Sequence, residues 1–287
     1  MSMKKVTIIT DSTSDLSKEL LERYQIGRFS LHVHLGEKSY LDGVDITPDE
    51  IYAWSDANEA TPKTSTPSPA EAIETLEKYL EEDNEIICFC LSAQMSGCMN
   101  VMRLAAESLE AEDRIFVVDS KNLSTGIGLQ IIEAAILAQQ GMSAAEIVEK
   151  ITALQPKVRA SFVVDTLTYL HRGGRCSGVA ALAGSVLKLH PSIVVEDGAM
   201  HPSKKYRGKM ERVILEYVKD MTPALLNAKK DRVFLTHSGC DQAVIDAVKE
   251  QLEALNYFEE ILITRAGGVI SSHCGPGTLG VLFLSGE

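Results

Sequence analysis

At 287 residues the chain exceeds the ~150 typical of one domain, so two domains are the default expectation. With 45% hydrophobic and 24% charged residues its composition is ordinary for a globular protein, which excludes extended disorder. A formal charge of −12 opposes nucleic acid or an anionic membrane surface as the main partner.

The opening lysines are followed by the apolar run Val6 to Ile9, far too short for a signal-peptide core, so export is not expected. Val179 to Leu187 is apolar but carries Gly and Ser and falls well short of the ~18 residues of a membrane span. Six cysteines, at 88, 90, 98, 176, 240 and 274, include no C-x-x-C pair and no disulfide-framework spacing. Reduced thiols in a cytoplasmic protein are the expectation.

Lys5 to Thr10 is a β-branched run ending in Asp11; the polar turn Ser12-Thr13-Ser14 and a helical period from Leu16 to Tyr24 follow. Phe29 to Leu35 and Lys38 to Leu41 bracket Gly36-Glu37 as a hairpin. Thr47-Pro48-Asp49-Glu50 and Ser68-Pro69-Ala70-Glu71 each open a helix with a capping box and a proline at the first position. Between those helices Asn58 to Pro67 reads as a loop rich in hydroxyls.

Glu85 to Leu91 is a strand of the fully buried type. It leads through the turn Ser92 to Gly97 into a helix to about Leu109 and a further strand, Arg114 to Val118. Strand and helix in alternation predict a parallel sheet with crossover helices. Helices over Ser124 to Gln140 and Ser143 to Leu154 then bring the chain to a domain change near residue 155. Beyond it, Ala160 to Val164, Ile193 to Val195, Met200 to Tyr206, Arg232 to Thr236, Glu260 to Thr264 and Leu279 to Leu284 are strand candidates. Helices over Lys209 to Met221 and Asp241 to Leu255 complete a second α/β domain.

Three polar stretches carry chemistry. Thr64 and Ser65 lie in Pro62 to Pro69, ahead of a helix whose first N–H groups lack intrahelical partners; an anion or a simple cap would satisfy them. Ser96 and Gly97 close the turn after a buried strand, the place where α/β sheets hold ligands, and no P-loop lysine or G-x-G-x-x-G spacing accompanies them. His273, beside Gly275-Pro276-Gly277, is either a carboxylate donor or a structural histidine. Ser96 with His273 also suggests a hydrolase, although no G-x-S-x-G elbow surrounds the serine.

Metal binding has little support, because the histidines are scattered and His32 and His34 share a strand face without an evident Cys or Asp partner. Cys88 and Cys90 read as small core residues, and Cys98 stands at a helix start, a place that lowers a thiol's pKa, with no evident base to activate it. Two basic stretches stand against the acidic background, His171 to Arg175 and Lys204 to Lys209. Their arginines suit paired bonds to phosphate or carboxylate.

Taken in order, Ile9-Thr10-Asp11-Ser12-Thr13-Ser14-Asp15-Leu16, the Lys63 to Pro69 loop, Leu91 to Gly97, Val118-Asp119-Ser120, Asp165 to Leu170 with Gly173-Gly174-Arg175, and His273 to Gly277 resemble the DegV family, over practically the whole chain. The resemblance implies two α/β domains, 1–155 and 156–287, the first with a mainly parallel sheet flanked by helices, and a fatty-acid tunnel near their junction. It implies that Thr64, Ser96 and His273 hold the acid's carboxylate, with Ser65 and Gly97 adjoining. Arg175 and Arg207 match arginines that face a partner, the catalytic subunit of a fatty acid kinase, which phosphorylates the bound acid for phospholipid synthesis. The chain is then a cytoplasmic lipid carrier that presents its substrate, with no catalytic residue, metal or cofactor of its own. The rival expectation is a Ser/His hydrolase or small-molecule phosphotransferase using the same pocket. Cys98 and Met99 stand where the family commonly has Thr and Tyr, and His190 where Lys is usual.

Overall fold

A computed structural model describes residues 5–176 and 189–286. The apolar run Val179 to Leu187 lies outside the described residues.

Strands β1 (Lys5–Asp11), β2 (Gly27–Phe29), β6 (Asn84–Cys90) and β7 (Ile115–Asp119) form a four-stranded sheet in the order β2-β1-β6-β7. All its pairings are parallel, as the alternation of strand and helix predicts. Phe29 thus belongs to this sheet and not to the hairpin, which is confined to β3 (His32–Leu35) and β4 (Lys38–Leu41) around Gly36 at φ +64°.

The hydroxyl-rich loop is corrected in part. Lys63–Ser65 is a short strand, β5, antiparallel to β3 with Thr64 opposite Val33. Pro62 and Pro67 confine it to three residues, too few for a sequence signal.

The remaining strands make a six-stranded sheet: β8 (Val158–Val163), β9 (Leu189–Glu196), β10 (Ala199–Arg207), β11 (Ala228–His237), β12 (Glu260–Arg265) and β13 (Leu279–Ser285), ordered β10-β9-β8-β13-β11-β12. Only β11 and β12 pair in parallel within it.

The helices layer on these sheets. Capping boxes open α2 (Pro48–Asn58), α3 (Pro69–Tyr79) and α6 (Ala144–Leu154) where the sequence places them. α1 (Lys18–Arg23) follows the turn after β1, and α4 (Cys98–Ser108) follows β6. α5 (Thr125–Gln139) is apolar around nearly its whole circumference, the pattern of a helix buried on all sides. Its Ile127, Leu129, Ile131 and Ile132 join one core with Ile87 and Phe89 of the parallel sheet and Phe162 and Leu282 of the six-stranded sheet. Each of these side chains contributes about 2 kcal/mol by burial, so an acidic residue at Ile131 would break the layer. Gly128 lets α5 approach the first turn, since a Cβ there would meet Leu16 at 2.8 Å.

On the outer face of the parallel sheet, α3 and α4 close a second core with Leu76 and Met102. α8 (Met210–Leu225) and α9 (Gln242–Glu253) cover the six-stranded sheet through Val213, Tyr217 and Val248. Two short helices complete the described residues, α7 (Thr168–Gly173) and α10 (Gly268–Cys274). The latter ends just before the Gly275-Pro276-Gly277 turn and carries His273. Its glycine, β-branched residues and serines are weak helix formers, and it is held by packing and by bonds from Ser272 to Gly268 O at 2.7 Å and Ser271 to Ala266 O. Among the described residues no helix is long and apolar enough to cross a membrane.

Candidate functional site

The parallel strands β1, β6 and β7 all end on one edge, and the turns Ser12–Ser14, Leu91–Gly97 and Ser120–Ser124 gather there. Against that edge the fold sets β5 and α10. A cavity of about 110 Å³ opens between them. Thr64, Ser65, Ser96, Gly97, Arg175 and His273 all line it, drawn together from both halves of the chain. Arg207, at the exposed end of β10, is not among its walls.

Thr64 Oγ1 lies 2.8 Å from His273 Nε2. Burial, followed by the nearby charge of Arg175, pushes the His273 imidazole down to about 4, so the ring is neutral at neutral pH and carries one N–H. With that hydrogen on Nε2 the ring donates to Thr64, whose own hydroxyl hydrogen is free for an acceptor in the cavity. Nδ1 is buried and has no hydrogen-bond partner among the described residues; Gly173 packs against it so closely that a Cβ there would come within 2.4 Å. Arg175 is tied back by a 2.7 Å bond from Nη1 to Gly173 O, which stations its guanidinium at the rim of the cavity.

Across the cavity, Ser96 Oγ accepts the N–H of Cys98 at 3.2 Å, and Gly97 precedes α4. Gly97 has an ordinary backbone, and a Cβ on it would meet only Thr66, at 3.9 Å. Its value is the open space it leaves. Ser65 points away to bond His34 Nε2 at 2.8 Å while its residue stays on the wall.

Sequence reasoning missed the apolar wall: Leu31, Leu91, Met95, Leu123, Met200 and Val269. These residues come from loops, a strand and the helix α10, scattered along the chain, and nothing distinguishes a lining leucine from a core leucine before the chain folds. Leu123 and Cys274 are shared with a second, apolar space of about 30 Å³ bounded by Phe162, Ile270 and Leu282. The two spaces thus share a wall made by Leu123 and Cys274, and the inner one is apolar.

The hydrolase geometry is incomplete. Among the described residues no bond joins Ser96 to His273, Thr64 occupies Nε2, and Nδ1 meets no orienting acid.

The thiol expectation at Cys98 is overturned. A hydrogen bond with Cys90 and complete burial push its thiol well above the ordinary value, and Cys90 is pushed up likewise. Asp11, Cys90 and Cys98 place donor atoms within 4.8 Å of one another. The Asp11 carboxylate is already taken by Leu91 N at 2.7 Å and by Thr13 N and Oγ1, so this group reads as satisfied core. His32 has an acidic neighbour after all, Glu71 at 3.1 Å. His190 is buried, with its two ring nitrogens facing Val164 O and Gly208 O.

Comparison with known proteins supplies context. A model described as uncharacterised protein, DegV family, matches residues 5–286. A DegV domain-containing protein of Deinococcus radiodurans is 34% identical, the match covering 96% of this chain and 97% of the relative. A solved structure, described as fatty acid binding of a DegV family protein from Thermus thermophilus, is 32% identical with TM-score 0.88 over 98% of this chain and 99% of that one. The stearic acid-binding protein of Eubacterium ventriosum is 29% identical with TM-score 0.84 over 98% of both chains.

Proposed function

The chain belongs to the DegV family, and from that premise we propose that it is a cytoplasmic carrier that binds a long-chain fatty acid and presents its carboxylate to a fatty acid kinase. The observation that carries this reading is the Thr64–His273 pair, which shares with Ser96 and Gly97 a cavity otherwise walled by apolar side chains. The likeness to fatty-acid-binding relatives in both sequence and fold supports it.

The physics divides the work. Burying a tail at ~0.8 kcal/mol per methylene gives about 11 kcal/mol for roughly fourteen methylenes, before ordering costs are subtracted. The tail therefore supplies the affinity. A buried carboxylate is unfavourable unless hydrogen-bonded, so Thr64, Ser96 and the neutral His273 set where the head group points more than how tightly it binds. Ser65 and Gly97 shape the same wall.

In this reading the reaction belongs to the kinase. The bound carboxylate oxygen attacks the γ-phosphorus of the kinase's nucleoside triphosphate, the bond from that phosphorus to the β-phosphate oxygen breaks and the nucleoside diphosphate leaves, while this chain supplies position without an activated residue of its own. Arg175 and Arg207 face that partner. We further divide the chain into α/β domains at 1–155 and 156–287, so that the acid sits at their junction.

Native mass spectrometry and organic extraction of purified protein test the proposal. A copurifying fatty acid, released on denaturation, is expected; no such acid, and no uptake of added stearate, would sink it. Turnover of acyl esters by the isolated protein, abolished by Ser96→Ala, would instead establish the hydrolase.

A further inference from the structure

Three buried carboxylates, Asp11, Asp15 and Asp42, lie beneath the site, and the ligand reading uses none of them. Asp11 is spent within its own turn and on Leu91. The other two reach across the chain. Asp15 Oδ1 accepts the N–H of Gly267 at 2.8 Å, and Asp42 Oδ1 accepts that of Gly268 at 2.6 Å. Asp42 Oδ2 is buried and has no hydrogen-bond partner among the described residues. Consecutive amides at the start of α10 are thus gripped by two acids from the first half of the sequence.

The surroundings are built for that grip. A Cβ on Gly268 would meet Asp42 Oδ1 and Ile51 at 2.9 Å, and one on Gly267 would meet both carboxylates at 3.2–3.3 Å. Only glycine lets the acids come so near. Asp15 and Ser124 both hold positive φ, 51° and 52°, a cost for residues with side chains, and they are joined by a 2.5 Å bond from Ser124 Oγ to Asp15 Oδ2. Two strained backbones locked to one another fix where the Asp15 carboxyl stands. α10 is only seven residues long, and its sixth is His273.

We propose that Asp15 and Asp42 are positioning residues for His273: by holding the first amides of α10 they set the height and rotation at which the imidazole meets Thr64 and the ligand's carboxylate. The helix's own residues are weak helix formers, so besides its packing and serine bonds these two acceptors are what fix its first amides. Burial pushes the Asp15 carboxyl up to about 8, so at neutral pH it works chiefly as a neutral acceptor. An amide of the same shape can therefore take its place. The effect on affinity rests on the fatty-acid reading; the effect on the ring does not.

The test compares Asp42→Asn and Asp15→Asn, which keep an accepting oxygen, with Asp42→Ala and Asp15→Ala, which do not. The readouts are the imidazole nitrogen resonances of His273 in ligand-free protein and the equilibrium binding of stearate. The alanine variants are expected to shift the His273 resonances and to weaken stearate at least tenfold, while the asparagine variants keep wild-type resonances and affinity within threefold. Folded alanine variants with unmoved resonances overturn the proposal, as do asparagine variants that fail as badly as alanine. If the alanine variants do not fold, Gly268→Ala replaces them, because its methyl group displaces the same contact. Failure of the wild type to bind stearate would remove the carrier reading and leave the resonance comparison to decide the clamp.

Discussion

Thr64 and His273, 209 residues apart in the chain, meet at 2.8 Å through Oγ1 and Nε2, and neither side chain makes another hydrogen bond among the described residues. The pair joins an edge strand of the first half to the last turn of a short helix in the second.

Removing the hydroxyl strands the imidazole. Thr64→Val leaves the buried Nε2–H without an acceptor, at a cost of ~1–3 kcal/mol, and takes one donor from the ligand's carboxylate. Fatty-acid affinity should fall about tenfold by calorimetry, with the fold retained.

The depressed His273 pKa fixes the sign of a pH effect. Because the folded ring sits at about 4 and an unfolded one near 6.5, the unfolded state binds more protons in that window. Stability is therefore fully present above 6.5 and declines as pH falls towards 4, by at most about 3 kcal/mol from this group. Asp15, pushed up to about 8, acts with the opposite sign, losing stability as pH rises through that region. The measurement is consequently a difference: urea unfolding of wild type minus His273→Gln should slope only between those two His273 limits.

Gly173 is a steric requirement of the site. A methyl group at Gly173 would stand 2.4 Å from His273 Nδ1, so Gly173→Ala must displace the ring or the end of α7. Overpacking of this kind costs ~1–3 kcal/mol. A lowered melting temperature together with weaker fatty-acid binding is expected; unchanged binding would show that the ring has room.

The two arginines should separate. Arg207 lies outside the cavity, so Arg207→Ala should leave fatty-acid affinity within twofold while slowing phosphorylation by the kinase. Arg175 stands on the cavity rim and helps hold the His273 pKa down. Arg175→Ala should raise that pKa in a titration followed by resonance spectroscopy, as well as slowing the kinase step.

The buried helix α5 should be intolerant of truncation. Leu129 is fully buried in the core shared by both large sheets, so Leu129→Ala should cost ~2–5 kcal/mol in denaturant unfolding. A loss below 1 kcal/mol would show that the layers pack less tightly than their burial implies.

Much of this protein is decided within a few residues of sequence. The capping boxes Thr47/Glu50, Ser68/Glu71 and Ser143/Glu146 form as read, because each is a closed set of bonds between neighbours three apart. The parallel strands follow from apolar runs separated by helical periods, and the ordered motifs were enough to indicate the family. What the sequence could not decide depends on partners brought from far away. β5 exists because β3 offers an edge, Cys98 is no activated thiol because Cys90 and the core enclose it, and α10 holds its shape where acids from the other half reach its amides. Local bonding energies can be read from neighbours in the chain; desolvation and long-range contact arise only once packing has chosen which residues share a wall.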